Sequence, residues 1–212
     1  MEIENVKPQD IEKRSMEIIE SELKHTSHLS EEEKLVVKRV IHTTADFDYL
    51  DNMKFSKDAV KIAMECIRNG AVIVTDTNMA KTGISKAALA KYNCSVECFM
   101  ADEDVAGRAK ELGVTRALVS VDKAKELYSD REVIYVVGNA PTALIRLSEC
   151  IEDKSFVPKL VIGVPVGFVN VVQSKELIKK SGIPYIVADG RKGGSTVAAA
   201  ICNAILYQMY ER

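Results

Sequence analysis

The 212-residue chain predicts an α/β fold with a mainly parallel sheet and helices on both faces. Three observations lead there. Short continuous apolar runs, among them Ala71–Thr75, Val133–Val137 and Leu160–Val164, have the pattern of strands buried on both faces. Segments of helical periodicity lie between most of these runs. No internal repeat or low-complexity tract breaks the alternation, so residues 1–212 are expected to form a single domain.

The elements follow in order. Two helices open the chain, at 8–24 and 31–43, and Ser30 followed by Glu33 is the signature of a capping box at the start of the second. A third helix is expected at 57–69, with Ser56 as its cap and Gly70 as its stop. A strand at 71–75 comes next, then further strands at 95–99, 117–121, 133–137, 160–164 and 185–188. Helices are expected between them at 85–92, 103–112, 122–128, 140–152 and 173–181, and a last one from about Ser195 to Tyr210. On this reading residues 1–55 form an N-terminal helical segment and residues 56–212 the α/β core.

Composition excludes several classes of function. Hydrophobic residues are 47% of the chain and charged residues 28%, as in an ordinary soluble domain. The formal net charge of -2 provides no global field for nucleic acid, so an anionic ligand would need local cations. The acidic start lacks an apolar leader and no run approaches the length of a membrane span, so a cytoplasmic location is expected. Cys66, Cys150 and Cys202 sit in apolar helical patterns and are expected to be small buried hydrophobes. Cys94 and Cys98 have no second cysteine pair or histidine nearby, so no protein metal site is expected.

In parallel sheets, ligands sit outside the carboxyl ends of the strands. The segments Asp76–Gly83, Gly138–Thr142, Gly163–Asn170 and Asp189–Thr196 each follow a strand and are rich in Gly, Asn and Thr. Turn chemistry alone would account for any one of them. All of them at one edge point to a binding face. The run Gly190-Arg191-Lys192-Gly193-Gly194-Ser195-Thr196 is the most specific. Its glycines permit close backbone approach, a helix start adds a positive end, and Arg191 and Lys192 add charge. This is an anion cradle for carboxylates or phosphate. Neither a Walker A loop nor a G-x-G-x-x-G turn is present, so no nucleotide cofactor is expected.

Of the three histidines, His25 and His28 lie in a polar stretch, whereas His42 ends the second helix and precedes Thr43, Thr44, Asp46 and Asp48. Histidine both gives and takes a proton near neutral pH. Lys38, Arg39 and His42 share one helical face, opposite Val36, Val37, Val40 and Ile41. The bland account is a solvated cationic strip. The functional account is an acid whose neighbouring cations a bound polyanion would neutralise.

The runs Ile41-His42-Thr43-Thr44-Ala45-Asp46-Phe47-Asp48, Gly138-Asn139-Ala140-Pro141-Thr142-Ala143-Leu144, Gly163-Val164-Pro165-Val166-Gly167-Phe168-Val169-Asn170 and Arg191-Lys192-Gly193-Gly194-Ser195 together resemble the precorrin-8X methylmutases of cobalamin biosynthesis. The resemblance extends from about Ile11, through Arg14-Ser15, to the C-terminus. It implies a flavodoxin-like three-layer fold and a homodimer with active sites near the subunit interface. It implies an isomerase that moves a methyl group from carbon 11 to carbon 12 of precorrin-8X or its cobalt form, giving hydrogenobyrinate or cobyrinate. No methyl donor and no cofactor are needed. By motif match His42 is the general acid, and Ser15 and Arg39 touch substrate. Because the corrinoid is a polycarboxylate, Lys81, Arg116, Arg191 and Lys192 are candidate carboxylate partners by loop position, with Gly193 and Ser195 in the cradle. The Thr43–Asp48 run is more similar to the cobalt-substrate branch, but both substrate forms stay open. Two other classes also stay open: a phosphate- or nucleotide-binding enzyme using the Gly190–Thr196 loop, and a non-catalytic tetrapyrrole carrier.

Overall fold

A computed structural model describes residues 3–210. Its six-stranded sheet comprises β1 (Met53–Phe55), β2 (Val72–Thr75), β3 (Ser95–Glu97), β4 (Val133–Val137), β5 (Leu160–Gly163) and β6 (Tyr185–Ala188), in the spatial order β1-β6-β5-β4-β2-β3. All neighbours are parallel except β1, which runs antiparallel to β6 with Met53 opposite Ala188. Counted from β2, the parallel strands have the flavodoxin-like order, whose switch point falls between β2 and β4. Successive strand residues alternate between two cores: Ile73, Ile134, Val136 and Ile162 face one side, and Val72, Val74, Tyr135 and Val161 the other.

The first side is covered by α1 (Ile11–Glu22), α2 (Glu31–Thr44), α4 (Ala59–Arg68), α5 (Asn78–Gly83), α6 (Lys86–Ala90) and α11 (Ser195–Gln208); α3 (Tyr49–Asn52) lies between α2 and β1. The second is covered by α7 (Glu103–Leu112), α8 (Arg116–Tyr128), α9 (Pro141–Glu152) and α10 (Val171–Lys180). The capping box at Ser30 is formed in both directions: Ser30 Oγ accepts the Glu33 N–H, and the Glu33 carboxylate accepts the Ser30 N–H. Val36, Val37, Val40 and Ile41 bury the opposite face of α2, which packs on α11.

Three expectations need correction. The run 117–121 is not a strand but the first half of α8, capped by Thr115 Oγ1 on the Leu118 N–H. Its apolar residues continue to Ala124 at helical spacing, and a short β-branched run looks the same in a strand and in a buried helix. Ser56 does not cap α4. Its hydroxyl accepts the Tyr185 N–H and ties the chain to β6, while Asp58 takes the cap position in a left-handed conformation. The edge strand β1 and the short α5, capped by Thr77, were not expected at all. Cys66, Cys150 and Cys202 are buried free thiols, and among the described residues no helix is long and apolar enough to cross a membrane.

Candidate active site

The fold closes its own switch point. Asp76 leaves β2 fully buried, and its carboxylate accepts the N–H groups of Gly138, Asn139 and Ala140, at 2.8, 2.8 and 2.7 Å, from the loop after β4. Burial pushes the Asp76 carboxyl up, and the three backbone donors oppose that shift. Backbone donors that in this fold class face a ligand are thus occupied by a built-in carboxylate. Gly138 also lies against the first turn of α11: a Cβ there would come within 2.8 Å of the Ser195 Cα. Beside it, Thr77 Oγ1 donates to Ser195 Oγ at 2.8 Å and joins α5 to α11.

The open groove lies to one side of this seam, between α1, α2, α5 and α11. Its volume is about 670 Å³, within the range of small-molecule sites. Arg39, His42 and Thr43 line it from α2, Met79 and Gly83 from α5, and Thr196, Ala199, Ala200, Asn203 and Tyr207 from α11. Small residues let the helices approach, and a Cβ on Gly83 would come within 2.9 Å of the Ala199 methyl. Asn203 spans the α5–α6 junction, donating to the Gly83 carbonyl and accepting the Ser85 N–H, both at 2.8 Å.

The structure brings His42 and Arg39 together in the groove. The His42 ring is exposed there, with no hydrogen-bond partner among the described residues. Arg39 donates to Glu12 at 2.8 Å, and its guanidinium lies 5.5 Å from the Tyr207 ring centre. Lys38 pairs with Glu20 at 2.7 Å. Arg39 is therefore already paired by α1, and Lys38 shares Glu20 with Lys34, so a ligand is not the only counter-charge available to the cations beside His42.

The remaining candidates are spread more widely. Ser15 lies on α1 one turn beyond Ile11, whose carbonyl its hydroxyl bonds at 2.9 Å. Lys81 sits on α5 between the lining residues Met79 and Gly83, but its ammonium reaches Glu97 at 3.2 Å. Arg116 begins α8 in the opposite layer and donates to the Met100 carbonyl at 3.4 Å. Arg191 stacks its guanidinium 5.3 Å from the centre of the exposed Phe168 ring. Lys192 is held by Asp46 and Asp48, at 2.6 Å each. Gly193 is pressed against the Val164 and Pro165 carbonyls, so its missing side chain serves loop-to-loop packing. Ser195 is engaged by Thr77. Of the loops at the carboxyl edge, those after β2 and β6 reach the groove and those after β4 and β5 support them.

Sequence reasoning overlooked Asp76 as a structural anion and Lys175 altogether. A carboxylate directly after an all-apolar strand and facing a Gly-Asn turn was the available signal for Asp76. Lys175, on α10, is almost completely buried and donates from Nζ to the Gly190 and Lys192 carbonyls, both at 2.9 Å. It locks the backbone of the cradle. Burial pushes the Lys175 ammonium down to about 8, with Asp189 opposing, against an ordinary 10.5. Between those two values the unfolded chain binds more protons at this site, so this lysine adds stability as pH rises from about 8 to 10.5. Lys175→Met should lack that rising component. Urea unfolding of both proteins across the window will show a difference that grows with pH. Parallel curves would remove the assignment.

Fold and groove together define a flavodoxin-like α/β protein with an open groove among helices beside the sheet edge, lined by one histidine and one arginine. A family model described as Precorrin-8X methylmutase matches residues 10–208. The cobalt-precorrin-8 methylmutase of Salmonella typhimurium is 43% identical over 208 residues, covering 96% of this chain and 97% of that protein. The precorrin-8X methylmutase of Pseudomonas aeruginosa is 37% identical over 199 residues, covering 93% and 94%. The crystal structure of precorrin-8X methylmutase from Thermus thermophilus superposes with a TM-score of 0.85 at 36% identity, covering 94% of this chain and 97% of that one. The chain belongs to the precorrin-8X methylmutase family.

Proposed function

We propose that this protein isomerises precorrin-8X or its cobalt form, moving a methyl group from carbon 11 to carbon 12 of the macrocycle, with His42 as general acid. The observation that carries this reading is the meeting of His42 and Arg39 in one open groove, in a chain of this family. The bond from the methyl group to carbon 11 breaks as the bond to carbon 12 forms, so the rearrangement balances within the substrate. The protein has to hold the ring and supply a proton near ring C, and a proton leaves the macrocycle after the shift, since substrate and product are isomers. An exposed imidazole suits that task. Arg39 is placed to orient a substrate carboxylate, with Ser15 and Lys81 on the flanking helices and Arg116, Arg191, Gly193 and Ser195 as outer contacts. Any cobalt arrives inside the ring, and that form is favoured by the relatives at 42–43% identity, which are cobalt-precorrin-8 methylmutases, although others so named stand at 34–37%, level with the precorrin-8X ones. The setting proposed is the cytoplasm.

A homodimer is part of the proposal. Val166, Phe168, Val169 and Val172 are 47, 80, 78 and 38% exposed in one apolar stretch at the carboxyl edge, which a second copy would cover. Competing readings fare worse. A phosphate or nucleotide in the Gly190–Thr196 loop would need groups the protein already uses: Lys192 is paired with Asp46 and Asp48, and the Gly194 N–H donates to the Val164 carbonyl.

Single-turnover mixing with precorrin-8X and with its cobalt form, followed by absorbance, tests the function. Conversion to the corrin spectrum is expected. Binding without conversion would make the protein a carrier, and neither binding nor conversion would remove the assignment. For the outer cations, Arg191→Ala should weaken product binding by about 10-fold, one charge-assisted hydrogen bond's worth, with the bound-state rate retained. Unchanged affinity by titration would leave Arg191 a partner of Phe168 only.

A further inference from the structure

We propose that Lys192 is a positioning residue for His42: from the β6–α11 loop it grips the chain leaving α2 and so sets the histidine's place in the groove. The inference rests on the reading of His42 as the acid. Lys192 Nζ lies 2.6 Å from Asp46 Oδ2 and 2.6 Å from Asp48 Oδ2, across 146 and 144 residues of sequence.

Both ends of this strap are built in. On the α2 side, Ala45 ends the helix in a left-handed conformation (φ 53°), and its N–H donates to the Ile41 carbonyl at 2.7 Å. The Thr44 hydroxyl donates to the Val40 carbonyl at 2.9 Å and accepts the Asp46 N–H at 3.3 Å. Asp46 Oδ1 accepts the Asp48 N–H at 3.0 Å. A displacement of Asp46 is therefore passed to the last turn of α2, where His42 sits. On the cradle side, the Lys192 carbonyl is fixed by buried Lys175, and Gly193 is wedged against the Val164 carbonyl.

The charges argue against the alternative role of substrate ligand. One ammonium stands between two carboxylates, so the cluster is net negative, and an incoming substrate carboxylate would meet repulsion there. Exposed ion pairs contribute little to stability. The consequence to look for is geometric, because a misplacement of about 1 Å at a reacting group can lower a rate by about 100-fold.

The experiment compares Lys192→Met, Lys192→Arg and the Asp46→Asn/Asp48→Asn double variant in single-turnover methyl migration, with product affinity measured by titration. Lys192→Met should lower the rate by about 10- to 100-fold with affinity within a factor of about 3, and Lys192→Arg should recover most of the rate. Adding Lys192→Met to the aspartate variant should lower the rate no further, since both remove the same strap. Affinity lost by 10-fold or more with the rate kept would make Lys192 a substrate ligand and overturn the proposal. So would a wild-type rate and affinity in Lys192→Met, or additive losses in the combined variant. Absence of turnover in the unaltered protein would instead strike the function itself.

Discussion

His42→Ala is expected to fold and to bind the corrinoid while losing turnover by about 10²–10⁴-fold, the usual loss for a general acid. The side chain is exposed at the end of α2 and belongs to neither hydrophobic core, so removing it should leave the core intact. Arg39, which remains, keeps its contacts with Glu12 and Tyr207, so the groove retains its shape. Single-turnover absorbance with titrated product separates the two effects. A variant that still converts substrate within a factor of about three of the unaltered protein would end the role of His42. One that fails to bind would reassign it to recognition.

Asp76→Ala should have the largest effect on stability, about 2–4 kcal/mol. The carboxylate satisfies three backbone donors at the switch point, and Gly138 among them is buried. Alanine removes the shared partner of these donors, of which the Gly138 N–H is buried away from water, and leaves a void where the carboxylate sat. Asp76→Asn keeps the volume, but its amide group turns a donor toward N–H groups, so it should recover only part of the loss. Urea unfolding of the three proteins checks the order: unaltered, then Asn, then Ala. Asparagine as stable as aspartate would show that volume alone matters there. The sign with pH follows from burial, which raises the folded-state pKa of Asp76 above its ordinary 3.8. This group binds its proton more readily folded than unfolded. Its titration therefore adds stability as pH falls through the window just above the ordinary value, opposing the acid loss from carboxylates such as Asp46, which Lys192 holds low.

The elements that were legible share a local cause. The capping box at Ser30, the apolar stripe of α2 and the doubly buried strands β2, β4 and β5 depend on residues a few positions apart. Run 117–121 was misread because its local pattern suits a strand as well as a helix, and only its packing beneath the sheet face decided between them. β1 was missed because three residues carry no period, and its identity comes from pairing with β6 far along the chain.

What the sequence by itself determined is the α/β alternation, the carboxyl-edge loops and the singling out of His42 and Arg39, together with the family to which those motifs belong. Tertiary structure decided which charges are free. Lys38 and Arg39 find glutamates on α1, Lys192 finds Asp46 and Asp48, and Asp76 finds the loop after β4. Many of these partners lie tens of residues away or more, brought together by crossovers that no local pattern records. Charge type is written in the residue, but its partner is set by which strand lies beside which. Of the cradle cations, read from the sequence as waiting for a ligand, Lys192 is for that reason occupied by the protein itself, while Arg191 lies over the exposed Phe168 ring.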